Sequence, residues 1–145
     1  MTNKNRSSSG QAIIELAFVL PWILILLLGI IEFGILFYNK AMITNASREG
    51  ARAGIVYRDS NGDGNYDAHP VSDIGNAVNN YLQENLINFG GMPAWNTQVP
   101  LNEEVSPGGR VTVAVTYQHT FLVFARFLGL SPTINIGAET TMRVE

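Results

Sequence analysis

Three hydrophobic patterns follow one another along this 145-residue chain. The first is continuous: no residue from Leu16 to Ile31 is charged, and after Glu32 the apolar run resumes from Phe33 to Tyr38. A helix of roughly 20 such residues is long enough to cross a bilayer. A buried core helix would need apolar neighbours on every side, which a domain this small does not supply. A secretory signal has a shorter apolar region, about 7–15 residues. This run is longer and keeps its helical character through Tyr38, Met42 and Ala46, so it reads as an uncleaved anchor. The predicted helix begins near Ser9 or Gly10 and ends at about Gly54, with Pro21 as a site for a kink.

The second pattern has helical spacing. Ile74, Val78, Tyr81, Leu82, Leu86 and Phe89 predict a helix from about Asp73 to Asn88, capped by Ser72 and ended by Gly90-Gly91 ahead of Pro93. The third alternates. Val111, Val113, Val115 and Tyr117 predict a strand entered from the turn Pro107-Gly108-Gly109. Ile134, Ile136, Ala138, Thr140, Met142 and Val144 predict a last one, and Trp95 to Leu101 a short one. Phe121 to Leu130 is apolar without a clear period and fits helix, loop or strand, packed on the sheet or on a membrane surface; Ser131-Pro132 ends it. The fold class is therefore α+β: a long N-terminal transmembrane helix, a second helix and a small antiparallel sheet. The segments are a polar leader at 1–10, the anchor helix at 11–54 and an extramembrane α+β domain at 55–145.

Composition narrows the function. Hydrophobic residues make up 46% and charged residues 14%, and the net charge is -3, with no basic cluster interleaved with aromatics. Nucleic acid is not an expected partner. Cysteine is absent, which removes disulfides and thiolate chemistry. Lys4 and Arg6 precede the span while Lys40, Arg48, Arg52 and Arg58 follow it. Counted naively, these charges put the C-terminal domain in the cytoplasm, but long trailing domains are translocated largely regardless of charge. Protease protection in spheroplasts decides the orientation.

Three features carry chemistry. Glu15 lies just inside the apolar run, where an unpaired carboxylate is costly, so a partner that neutralises it implies assembly; the plain alternative is a carboxylate tolerated near the headgroups. Ala46, Gly50 and Gly54 recur every fourth residue, a small-residue stripe that admits another backbone closely, either from a second subunit or from this chain's own second helix or sheet. Asp59, Asn61, Asp63, Gly64, Asn65 and Asp67 form D-x-N-x-D-G-x-x-D, the first part of an EF-hand-type Ca2+ loop. Alternate side chains converge as oxygen ligands, Asn65 offers its carbonyl and Gly64 allows the sharp turn. Pro70 occupies the place of the bidentate glutamate; Asp73 would substitute in a longer loop. The same residues also make an ordinary solvated turn.

Gly10 to Pro21 (Gly-Gln-Ala-Ile-Ile-Glu-Leu-Ala-Phe-Val-Leu-Pro), Leu28 to Gly34 and Ala46 to Arg52 resemble TadE-like proteins, the minor pseudopilins of the tight-adherence (Tad, or Flp-type) pilus. More weakly, so does the ending Met142-Arg143-Val144-Glu145. The resemblance implies a pilin-like fold in the inner membrane with a periplasmic or extracellular domain. It implies a prepilin peptidase that cuts the Gly10–Gln11 bond, and other pilins and the pilus assembly machinery as partners. Glu15 matches the glutamate five residues after the cut, implying a role in processing or in pairing with a neighbour's new amine at Gln11. Glu32, about 25 Å farther along the helix, matches a second acidic position expected to bond a partner helix or to reach water.

No catalytic constellation appears. His69 and His119 lack triad-like companions, and no nucleophile elbow or phosphate-cradling glycine motif is present. The chain reads as a non-enzymatic structural or priming subunit. The alternative is a membrane-anchored Ca2+-binding adhesion or sensing module outside any pilus.

Overall fold

The computed structural model describes residues 6–56, 71–88, 95–98 and 109–144. Helix α1 runs Arg6–Ile55 without interruption at Pro21. Helix α2 is Val71–Asn85, beginning two residues before and ending three before the span read from spacing, so Ser72 lies inside its first turn. The strands are β1, Trp95–Gln98, β2, Arg110–Thr120, and β3, Thr133–Arg143, with a one-turn helix α3, Phe124–Phe127, between the last two. The sheet is antiparallel in the order β1-β2-β3. Trp95 faces Tyr117, and β2 and β3 form a ladder from Arg110↔Arg143 to Thr120↔Thr133. The expected α+β class holds, and the ambiguous segment 121–130 proves to be the connection that carries α3.

The alternation in β2 is the basis of the core. Val111, Val113, Val115, Tyr117 and His119 are buried on one face, while the residues between them are exposed or half-buried. That face lies along α1. A Cβ built at Gly54 would sit 2.9 Å from Val111 Cγ1 and one at Gly50 would sit 3.3 Å from Val113 Cγ1; farther along, Asn39 meets His119 and Phe33 meets Phe121. The two elements run in opposite directions and keep pace. Two strand residues advance about 6.8 Å, and four helical residues advance about 6 Å. Helix α2 is also antiparallel to α1, with Ile74 against Gly54, Val78 against Gly50 and Ile87 against Asn39.

Residues of α1 are therefore part of the core. Ile43, Ala46 and Ala51 are fully buried beside Ile74, Val78 and Leu82 of α2. The boundary at Gly54 separates stretches of sequence, not units of packing: α1 from Glu32 onward is the spine of the α+β domain. The N-terminal half of the rod is the opposite case. Every residue from Gly10 to Leu24 is exposed, and the most apolar window of the helix is only 6% buried. Among the described residues this is the one helix with the length and composition to cross a membrane.

Candidate assembly surface and the docking face of the long helix

The two halves of α1 differ in what their faces meet. In the C-terminal half a stripe of Glu32, Asn39, Ile43, Ala46, Ser47, Gly50, Ala51 and Gly54 is buried. Its spacing of three and four follows the helical turn. Gly50 and Gly54 are glycine because nothing larger fits: an added Cβ would lie 2.5 Å from Val78 Cγ2 at Gly50 and 2.8 Å from Ile74 Cδ1 at Gly54. Of the two readings of Ala46, Gly50 and Gly54, a second subunit or this chain's own elements, the packing follows the second. The stripe receives this chain's own α2 and β2, whose stiff β-branched side chains reach into the space the missing Cβ atoms leave.

Three polar residues on the stripe each address a different element. Glu32 Oε1 accepts a hydrogen bond from the Val123 N–H at 2.6 Å, just ahead of α3. Read from the sequence as bonding a partner helix or reaching water, the carboxylate is in fact buried against its own domain. Asn39 is fully buried and treats Ile87 as a strand neighbour would: its Nδ2 donates to the Ile87 carbonyl at 2.8 Å, and its Oδ1 accepts from the Ile87 N–H at 3.1 Å. The chain leaving α2 is thereby fixed to α1. Ser47 Oγ donates to the Thr44 carbonyl at 2.9 Å and lies 2.7 Å from Thr140 Oγ1 on β3. Lys40 adds a bond from Nζ to the Gly137 carbonyl.

His119 is buried at the far end of β2, edge-on to Phe121 with ring centroids 5.2 Å apart. Its Nδ1 lies 3.4 Å from Asn39 Nδ2. The Ile87 backbone fixes which end of the Asn39 amide is nitrogen, so Nδ1 is the acceptor and the ring is neutral. Burial pushes its pKa below the usual histidine range, and the Glu32 carboxylate pulls partly back. Sequence reasoning passed over Asn39, Ser47 and His119 as functional positions. Asn39 left one signal, an amide seven residues, or about two helical turns, after Glu32 at the end of the apolar run.

Across the middle of the rod, Trp22, Ile25, Leu26, Ile30, Phe33 and Phe37 border a shallow apolar groove. Glu15 is exposed and accepts a bond from Gln11 Nε2 at 3.2 Å, one turn back. Gly10 has open space around its Cα, and helix α1 runs straight through the Gly10–Gln11 bond. Asp73 lies exposed in the first turn of α2. The other expected Ca2+ ligands, Asp59, Asn61, Asp63, Asn65 and Asp67, fall outside the described residues, as does His69. Among the described residues no group of three or more His, Asp or Glu is placed to hold a metal.

No curated protein and no solved structure matches the chain. A family model does: residues 10–52 match the one described as TadE-like protein. The matched segment takes in the Gly10–Gln11 bond, Glu15, Glu32 and most of the docking stripe, and over it the chain is similar to TadE-like proteins.

Proposed function

We propose that this chain is a minor pseudopilin, a structural or priming subunit of a Tad/Flp-type pilus. It is held in the inner membrane by α1, its domain is periplasmic or extracellular, and a prepilin peptidase processes it after Gly10. The observation that carries this reading is the division of α1. From Glu32 onward its docking face is covered by the domain, whereas from Gly10 to Leu24 it is exposed all round. A helix this apolar and uncovered by its own chain is built for lipid or for like helices. The match over residues 10–52 supports the second of these as its destination after the first.

Glu15 then has a defined task. Cutting the Gly10–Gln11 bond creates an ammonium on Gln11, and Glu15 already reaches back one turn to the Gln11 side chain. In a bundle of such rods the carboxylate meets a neighbour's ammonium, and each offsets part of the other's desolvation. The groove along Trp22, Leu26, Ile30 and Phe33 gives a sister helix a seat.

The test is co-expression of the full chain with a prepilin peptidase, read by intact mass. Loss of residues 1–10 is expected. Glu15→Gln is expected to reduce recovery of the mature chain in sheared surface fibres or in complexes with other pilins. An uncut chain in a host that cuts its other prepilins refutes processing and favours the free-standing anchored module. A Glu15→Gln chain that is cut and assembles normally refutes the pairing.

A further inference from the structure

The β2–β3 connection presents an unusual surface. Leu122, Val123, Phe127, Leu128, Leu130 and Ile134 are 40, 44, 59, 51, 59 and 44% exposed. Arg126 is the one charged residue between Thr120 and Glu139. A connection at the solvent end of a sheet is ordinarily polar, and a contiguous apolar patch marks a contact surface.

Its backbone is closed on itself. Phe121 N–H donates to the Pro132 carbonyl at 2.7 Å and joins the two ends of the connection. Phe127 N–H reaches the Val123 carbonyl at 2.9 Å. After α3, Leu130 N–H donates to the Ala125 carbonyl at 2.8 Å and Gly129 N–H to the Arg126 carbonyl at 3.2 Å, with Gly129 at φ +69°. This is a Schellman ending, and it uses the carbonyls that a helix end would otherwise leave to water. A segment with apolar side chains outward and much of its backbone paired within itself is suited to a medium that offers no hydrogen bonds.

The connection is also held at a particular height on α1. Val123 donates to Glu32, and the Phe121 and Phe33 rings lie 6.0 Å apart. The apolar run of α1 extends past this point through Phe37, which is 69% exposed, to Tyr38, and the next charge is Lys40. At about 1.5 Å per residue, Lys40 lies about 12 Å beyond Glu32. The connection is therefore level with the last two turns of the hydrophobic rod, where aromatic and basic residues gather at a membrane boundary.

We infer that residues 121–134 are a second membrane-contacting element, which dips into the headgroup–acyl boundary of the bilayer that α1 crosses. Lipid is the occupant because the patch starts where Phe121 meets Phe33 on the exposed apolar stretch of α1. Arg126 on the same connection extends to the headgroup phosphates, with its stem along the apolar surface. The dip also accounts for Glu32: the connection covers the carboxylate and supplies it with an N–H at a depth where lipid would not. This inference rests on α1 being membrane-spanning.

The experiment uses the full chain in vesicles of phosphatidylcholine and phosphatidylglycerol. The absence of cysteine allows single labelling sites. Leu128→Cys, Leu130→Cys, Leu24→Cys and Glu139→Cys each carry an environment-sensitive fluorophore and are read against lipids with a quencher near the headgroup or near the chain end. Labels at positions 128 and 130 are expected to be quenched several-fold more than the label at 139, and more by the shallow quencher. The label at 24 should prefer the deep one. Labels at 128 and 130 as unquenched as that at 139, with position 24 quenched, overturn the dip and leave the anchor standing. An apolar but unquenched reading at 128 and 130 means a second copy covers the patch, and it overturns the dip as well. An unquenched label at 24 removes the anchor and the dip together.

Discussion

Gly50→Ala decides whether the small-residue stripe faces inward. The new methyl group would lie 2.5 Å from Val78 Cγ2, 3.3 Å from Val113 Cγ1 and 3.5 Å from Ile74 Cγ2. The first contact cannot stand as it is. Val78 is β-branched and helical, with one strongly preferred rotamer, so it does not swing aside cheaply. Moving α2 as a body would disturb Ile74 against Gly54 and Asn39 against Ile87, the neighbouring contacts along the same seam. Overpacking of this kind costs about 1–3 kcal/mol. Against it stands the helix-propensity gain of alanine over glycine, about 1 kcal/mol. The net expectation is a loss of about 1–2 kcal/mol. For a domain of this size a loss of 1 kcal/mol lowers Tm by about 4–8 °C. Gly75→Ala is the matched control: it lies inside α2 with nothing within 4 Å of the added Cβ, so only the propensity gain applies and Tm should rise. The assay is thermal unfolding of the detergent-solubilised chain, followed by near-UV circular dichroism of the domain's aromatic residues. If Gly50→Ala raises Tm as Gly75→Ala does, α2 does not lie on the stripe, and Gly50 becomes available to another subunit.

Two further outcomes follow from the docking face and from the acidic loop. The His119 pKa lies below its ordinary value, first through burial, with Glu32 opposing; the unfolded chain therefore binds its proton more readily, and stability is full above about pH 6.5 and falls as pH drops from there toward the folded value. Protonation also ends the bond that Nδ1 accepts from Asn39. Denaturant unfolding across this pH range should show the slope in the native chain and a smaller one in His119→Phe; equal slopes remove His119 as the source. For the segment 59–67, isothermal titration with Ca2+ should give binding heat with Kd in the weak extracellular range of about 10⁻⁴–10⁻³ M, lost in Asp63→Asn, while flat titrations at millimolar Ca2+ assign the segment to an ordinary turn.

What was legible in the sequence was whatever repeats. The unbroken apolar run announced α1, the period of two announced β2 and β3, and the helical period announced α2. The stripe Ala46, Gly50, Gly54 was equally visible, but its partner was not, because small residues look the same whether the approaching backbone belongs to another chain or to residues 74–78. Glu32 was visible as a misplaced charge; its answer, the Val123 N–H, lies 91 positions away and is a backbone group with no sequence signature. Asn39 and His119 pair across 80 positions, and neither stands out until the fold brings them together. The connection 121–130 had no period to read because a single helical turn ended by an αL glycine is too short to display one.

The continuity of α1 has one more consequence. The embedded part and the domain are two ends of a single shaft, with no joint between Arg6 and Ile55. A helix turns about 100° per residue. The compass bearing of the domain around that shaft is thus set by the count of residues between the groove at Trp22 and the pin at Glu32. One residue inserted there would leave both ends folded and swing the sheet about a quarter-turn to face a different neighbour.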